Sequence, residues 1–124
     1  ITRGFTIKEG EERVMLPLGK LTFHIVDKIG ETPSNCIYVA QDKLNYPLLL
    51  RKWEKGDLFY PFGMKGKKKI SDFFKDKKLS LPEKEETWLL CSNDEIVWVV
   101  NHRADARFAI TSPSEKILKI TYSL

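Results

Sequence analysis

Residues 53–78 read WEKGDLFYPFGMKGKKKISDFFKDKK, and this stretch carries the clearest signals of local structure in the chain. Three glycines and one proline lie within eleven positions of it: Gly56, Pro61, Gly63 and Gly66. Such residues favour successive turns over one continuous element. Beyond them, Ile70, Phe73 and Phe74 recur at the i, i+3, i+4 spacing of one helix face. The stretch therefore predicts a turn-rich loop that leads into a short helix with a buried aromatic face.

The second half of this stretch, residues 65–78, is a lysine segment. It holds seven lysines and two aspartates, a local charge of +5, whereas the whole chain carries +4. The rest of the chain therefore sums to −1, so the basicity is localised. A localised basic patch is typical of a polyanion partner. The predicted phosphate ligands are Lys65, Lys67, Lys68, Lys69, Lys75 and Lys77. A solvated face that only maintains solubility is the alternative interpretation.

Two arginines farther along the chain extend the candidate RNA-binding residues. Arg103 and Arg107 lie in a polar interruption between apolar segments. A guanidinium group binds phosphate or carboxylate through two parallel hydrogen bonds. The pattern is equally compatible with ion pairs to Asp57, Asp72 or Asp105 that would hold the loops together. Both interpretations stay open from the sequence.

The remaining candidate side chains favour structural roles. Four aromatic residues at strand-like apolar positions are predicted to lie in the core, although aromatic rings also stack on bases: Trp53, Phe59, Trp98 and Phe108. His24 has no second histidine or cysteine nearby, and Cys36 and Cys91 are predicted to be buried, reduced thiols. His102 and Asp105 are two polar residues of one loop. No metal site and no catalytic residue is predicted in this chain.

Length and composition predict one domain over residues 1–124. A chain of 124 residues with 42% hydrophobic content is long enough to bury a core. No apolar run approaches the ~20 residues of a membrane span, and the opening residues lack a secretory pattern. We therefore expect a cytoplasmic protein without a membrane partner. The first residue is Ile1, which predicts that the chain is part of something longer.

Alternating and short apolar runs predict seven to nine strands, and thus an α+β domain with a largely antiparallel or mixed sheet and one or two short helices. The segment 88–100 is predicted to be a β-hairpin with Asn93 and Asp94 at its tip. The acidic connector 81–86 is interpreted as a solvated loop, with a single helical turn that begins at Pro82 as the alternative. Phe108 is expected to resume the sheet.

Two motifs in order resemble the C-terminal domain of bacterial tRNA(Ile)-lysidine synthetases. The first is the pattern G-D-x-F-x-P-x-G-M-K-G-x-K-K-x-S-D-F-F-x-D-x-K over residues 56–78. The second is the run Ile96–Val99 followed by R-x-D-x-R-F at residues 103–108. The resemblance covers residues 44–111 well and the first forty residues poorly. It implies a fold like that of a domain in the β subunit of phenylalanyl-tRNA synthetase. Family members often carry glycine at the position of Asn101, so the resemblance also implies a turn with a positive φ there, which asparagine tolerates.

The resemblance also implies a function. The family's whole enzyme uses ATP, with Mg²⁺, to adenylate the wobble cytidine of the minor isoleucine tRNA with a CAU anticodon, and free lysine then displaces AMP. Its ATP-binding PP-loop signature is absent from this sequence, so the resemblance implies that catalysis belongs to a separate N-terminal domain. The C-terminal domain of the family engages the acceptor-stem side of the tRNA.

Two other classes of function remain open. One is a structural or oligomerisation module, such as a homodimer, in which the lysine face is only solvated. The other is a general nucleic-acid-binding module, which would bind unrelated RNA and DNA equally well. The sequence alone does not separate them from a tRNA-binding domain.

Overall fold

Antiparallel sheets dominate the structure, a computed structural model that describes residues 4–124. The strands are β1 (Phe5–Ile7), β2 (Arg13–Leu16), β3 (Gly19–Val26), β4 (Cys36–Ala40), β5 (Leu48–Lys52), β6 (Leu58–Phe59), β7 (Lys68–Lys69), β8 (Trp88–Ser92), β9 (Glu95–Val99), β10 (Arg103–Ala104) and β11 (Ile117–Ser123). They form a five-stranded sheet in the order β1–β5–β8–β9–β10, a four-stranded sheet in the order β2–β3–β11–β4, and the pair β6–β7. The predicted α+β class is confirmed, with more and shorter strands than expected.

Two short helices complete the regular structure. Helix α1 spans Ile70–Asp76 and buries the predicted face of Ile70, Phe73 and Phe74. Helix α2 spans Leu81–Glu86 with Pro82 in its first turn, so the interpretation as a loop is wrong and the alternative of a helical turn is confirmed. The Ser80 hydroxyl accepts from the Glu83 N–H and the Glu83 carboxylate accepts from the Ser80 N–H, a capping box that satisfies the first turn.

The hairpin and the two asparagine conformations follow the predictions. Strands β8 and β9 pair as expected, and Asn93 at their turn has a φ of 55°. Asn101 has a φ of 70°. Phe108 does not resume the sheet, because Ala106–Phe108 is a 3-10 turn whose first residues are tied to Asp105. Its ring is nevertheless buried in the core.

The core has two parts, one on each face of the five-stranded sheet. The larger part contains apolar residues of both large sheets, among them Leu21, Leu48, Trp98 and Ile120. The smaller part packs α1 and Phe59 of β6 against the outer face of β8 and β9. Because α1 is fixed to this face, the lysine segment that contains it has a rigid support.

A buried carboxylate joins the lysine segment to the sheet edge. Asp105 is only 1% exposed, directly after β10. Its carboxylate accepts from the Tyr60 N–H at 2.9 Å, from the Arg107 N–H at 2.8 Å, and from Nε and Nη2 of Arg107 at 3.0 and 2.9 Å. The Tyr60 carbonyl accepts from the Ala106 N–H at 2.7 Å. The chain at residue 60 is therefore held to the sheet edge before the lysines begin.

We predict that Asp105→Ala lowers the free energy of unfolding by about 2–4 kcal/mol, because buried N–H donors and the Arg107 guanidinium lose their acceptor. Urea denaturation followed by circular dichroism measures this change. Asp94→Ala, which removes an exposed carboxylate from the β8–β9 turn, is the control and is expected to stay within about 0.5 kcal/mol. Equal stability of the two variants would contradict the role assigned to Asp105.

Candidate nucleic-acid interface

The lysine segment begins inside a hairpin formed by β6 and β7. Leu58 faces Lys69 and Phe59 faces Lys68 across this pair. The Ile70 N–H donates to the Asp57 carbonyl at 2.9 Å, so the hairpin continues directly into α1. Phe59 is fully buried beneath it. The connection 60–67 thus projects from a base that is fixed by the core.

A tight turn forms the first part of this connection. The Met64 N–H donates to the Pro61 carbonyl at 3.0 Å, and Gly63 has a φ of +85°. A positive φ at the third position of such a turn is the requirement that glycine meets without strain. Two further contacts hold the turn to β10, the Phe62 N–H to the Ala104 carbonyl at 2.9 Å and Arg103 Nη1 to the Phe62 carbonyl at 3.0 Å. We refer to Pro61–Met64 as the aromatic turn.

Most of the predicted phosphate ligands extend into solvent. Five of the six lysines are exposed: Lys65, Lys67, Lys69, Lys75 and Lys77. Lys68 is half-buried and forms an ion pair with Asp76 at the end of α1. This pair brings the hairpin next to the carboxyl end of the helix, where Lys75 and Lys77 also lie.

Arg107 is engaged within the protein. Its guanidinium pairs with Asp105 at 2.9 Å and with Glu95 at 3.1 Å, and lies 4.4 Å from the centre of the Tyr60 ring. The hydrogen bond to Asp105 raises the pKa of Arg107 above its ordinary value. The ion pair with Asp105, one of the two interpretations left open above, is present. RNA contact by Arg107 stays a prediction.

Arg103 has a different partner from those expected. It donates to the Phe62 carbonyl and makes no ion pair within residues 4–124. Asp57 instead binds both guanidinium nitrogens of Arg51 at 2.9 Å and accepts from the Glu54 N–H at 2.7 Å. Asp72 lies exposed in the first turn of α1. Arg103 therefore supports the aromatic turn, while RNA contact by its remaining donors is still a prediction.

The aromatic candidates lie in the core, as predicted. Phe59 and Trp98 are fully buried, Phe108 is 3% exposed, and Trp53 packs against the smaller core. An aromatic residue that the sequence interpretation missed is Phe62, which is 55% exposed beside the lysine segment. Its position between a proline and a glycine was the available signal, since residues at the corner of a tight turn project outward.

The remaining polar candidates have structural surroundings. His24 is exposed on β3, whereas burial lowers the pKa of the half-buried His102. Cys36 and Cys91 are free and buried, and burial raises the pKa of Cys91 to about 11. Among residues 4–124, no group of three or more His, Cys, Asp or Glu residues is placed to hold a metal ion. No helix in the described part of the chain is long and apolar enough to cross a membrane.

Comparison with known structures supports the fold. A crystal structure of a TILS C-terminal domain superimposes with a TM-score of 0.82 and covers 98% of this chain and 97% of its own. The two sequences are 18% identical, so this likeness concerns the fold alone.

Comparison with known sequences identifies the family. The tRNA(Ile)-lysidine synthase of Parabacteroides distasonis is 49% identical over 111 residues, which cover 90% of this chain and 25% of that protein. The synthase of Bacteroides thetaiotaomicron is 47% identical over 77 residues, 62% of this chain and 18% of that protein. The chain thus spans at most about a quarter of these relatives. Residues 48–121 match the family described as the TilS substrate C-terminal domain, and the chain belongs to that family.

Proposed function

We propose that this chain is the tRNA-binding domain of a tRNA(Ile)-lysidine synthase, and that its lysine segment binds the sugar-phosphate backbone on the acceptor-stem side of the tRNA. The observation that carries this proposal is the joint surface of the β6–β7 hairpin and α1. Five exposed lysines lie on two elements that the Lys68–Asp76 pair holds side by side. Clustered lysines of this kind provide the point charges that phosphates bind.

The anchoring of the hairpin also supports RNA binding. A surface that is rigid before binding loses less conformational entropy when it binds. The aromatic turn and Tyr60 are fixed to the sheet edge by backbone hydrogen bonds and by Asp105. Lys65 follows the aromatic turn directly, so its position relative to α1 is constrained although its side chain is free. Flexible lysine side chains on a fixed backbone suit the regular spacing of phosphates along a stem.

The domain would contribute binding energy at a distance from the reaction. An A-form stem is recognised by its shape and backbone more than by its bases, which matches a surface of lysines without a base-reading groove. Binding of a remote part of the substrate supplies energy that positions the reacting part. In this proposal the minor isoleucine tRNA with a CAU anticodon is the partner, and the chain functions in the cytoplasm as one domain of the enzyme.

The chemistry of the whole enzyme is part of the proposal but not of this chain. An ATP-dependent ligase, with Mg²⁺, would adenylate the wobble cytidine in another domain, and free lysine would then displace AMP from the activated base. Residues 4–124 would then bind and orient the tRNA without a catalytic group of their own. The alternatives are an oligomerisation module and a general nucleic-acid-binding module.

We predict that the double substitution Lys65→Gln/Lys67→Gln weakens binding to the unmodified CAU-anticodon isoleucine tRNA. If both lysines contact phosphates, the slope of log K against log salt concentration becomes shallower by about 1.4 to 1.8, since each neutralised phosphate contributes about 0.7 to 0.9. Fluorescence anisotropy at several salt concentrations measures this slope.

The matched control for this experiment removes two exposed lysines outside the lysine segment. Lys8→Gln/Lys116→Gln has the same net charge as the first variant, so a general effect of charge would appear in both. An equal loss of slope in the two variants would refute a specific role for the lysine segment. Concentration-dependent mass without RNA affinity would favour the oligomerisation module.

We also predict that the chain binds an acceptor-stem RNA hairpin more tightly than a DNA hairpin of the same sequence. The reason is that the 2′-hydroxyl groups and the A-form backbone geometry are present only in the RNA. Competition binding at one fixed salt concentration compares the two. Equal affinities would instead identify a general nucleic-acid-binding module.

A further inference from the structure

Phe62 is an aromatic residue that the structure holds in solvent. Its side chain is 55% exposed, although large aromatic side chains ordinarily contribute to the core. Both of its backbone polar groups are bonded to the β10 segment, the N–H to Ala104 and the carbonyl to Arg103. The turn hydrogen bond from Met64 to Pro61 fixes the same peptide units. These hydrogen bonds fix the backbone of Phe62, and the fixed backbone determines the position from which its ring extends into solvent.

A recess of about 170 Å³ lies against Phe62. Its lining combines aromatic and polar side chains, including Phe62, Trp98, His102, Arg103, Ser34 and Ile37. This volume is smaller than the roughly 300–1,000 Å³ of sites that hold drug-sized ligands. The recess is therefore suited to one flat group and not to a whole nucleotide.

Trp98, whose indole N–H is buried, is one of the residues that line the recess. This residue is fully buried, and its Nε1 has no hydrogen-bond partner within residues 4–124. Buried polar groups are almost always paired, so an unpaired one indicates a place where a water or a ligand atom supplies the bond. An indole N–H is a donor only, and it is therefore complementary to an acceptor.

We propose that this recess binds one unpaired nucleobase of the RNA, stacked on the Phe62 ring. The proposal rests on the proposed function, because the phosphates held by the lysine segment bring the base to Phe62. Nucleobases combine a flat aromatic face with carbonyl and ring-nitrogen acceptors, which match the ring of Phe62 and the guanidinium donors of Arg103 at the recess. Stacking on an aromatic side chain tolerates any base.

The surrounding charge favours RNA over a protein segment as the occupant. Lys65 and Lys67 follow Phe62 within five positions and are exposed. An RNA strand that enters the recess keeps its phosphates near these lysines. Arg103 is in this arrangement a positioning residue for Phe62, through the carbonyl that it binds.

The test compares two forms of an acceptor-stem hairpin, one with unpaired 3′ nucleotides and one blunt. We expect Phe62→Ala to weaken binding of the first form about tenfold, the loss of one base–aromatic stack. Binding of the blunt form is expected to stay unchanged, as is the salt slope for both. Phe62→Trp should retain the affinity, whereas Phe62→Leu should lose it. Met64→Ala is the matched control, because Met64 is an exposed apolar residue of the same turn that does not line the recess.

A second measurement observes the recess directly. In a ¹H–¹⁵N spectrum of the chain, the indole N–H resonance of Trp98, assigned with Trp98→Phe, should shift on addition of the hairpin with unpaired nucleotides and not on addition of the blunt one. An unchanged resonance, together with unchanged affinity of Phe62→Ala for the hairpin with unpaired nucleotides, would overturn the inference.

The outcomes separate this inference from the proposed function. If the lysine variant weakens binding while Phe62→Ala does not, the lysine segment binds RNA and the recess does not. If neither variant changes binding, or the chain does not bind tRNA, both proposals fail. A loss of self-association in Phe62→Ala with unchanged RNA affinity would assign the recess to a second copy of the chain.

Discussion

The buried carboxylate of Asp105 is the constraint on which the candidate interface depends. A carboxylate that is removed from water costs free energy unless charged or N–H donors replace the lost hydration. Here the donors are the Tyr60 N–H, the Arg107 N–H and the Arg107 guanidinium. Meeting that requirement forces residue 60 against the sheet edge. The Val97 carbonyl of β9 also accepts from the Asp105 N–H at 2.9 Å, which continues the pairing of β9 with β10.

Arginines and lysines have different roles in the candidate interface. Three arginines are bound within the protein, where planar guanidinium groups match carboxylates and carbonyls: Arg51 to Asp57, Arg103 to Phe62, and Arg107 to Asp105. The lysines are directed outward, where a hydrated point charge on a flexible stem suits phosphates without fixed geometry. The positive charges of Arg51 and Arg107 are thus paired with carboxylates within the fold, and the net charge of the lysine segment is what a polyanion would encounter.

Local sequence patterns predicted local structure, but they did not predict which distant strands pair with each other. The spacing of Ile70, Phe73 and Phe74 defined α1, and the asparagines at 93 and 101 indicated positive φ values because their side chains tolerate them. Helix α2 has an equally local signal, because Ser80 and Glu83 have the spacing of a capping box. In contrast, β11 lies between β3 and β4, and β1 pairs with β5, an order that no local pattern encodes. Arg107 shows both cases. Its partner Asp105 is two residues away and was among the predicted alternatives, whereas Glu95 and Tyr60 belong to distant segments and were not.

The groups that hold the interface in place differ from the side chains proposed to bind RNA. The binding hypotheses can therefore be tested by substitutions that leave the fold intact. Phe62 is anchored through its backbone, so its ring can be exchanged while the hydrogen bonds to Ala104 and Arg103 remain. Lys65 and Lys67 make no ion pair within residues 4–124, so removing their charge leaves the hairpin intact. Lys68 is the exception, because its pair with Asp76 joins the hairpin to α1. A variant of Lys68 would therefore change the shape of the surface together with its charge, and a loss of RNA affinity in it would not distinguish the two causes.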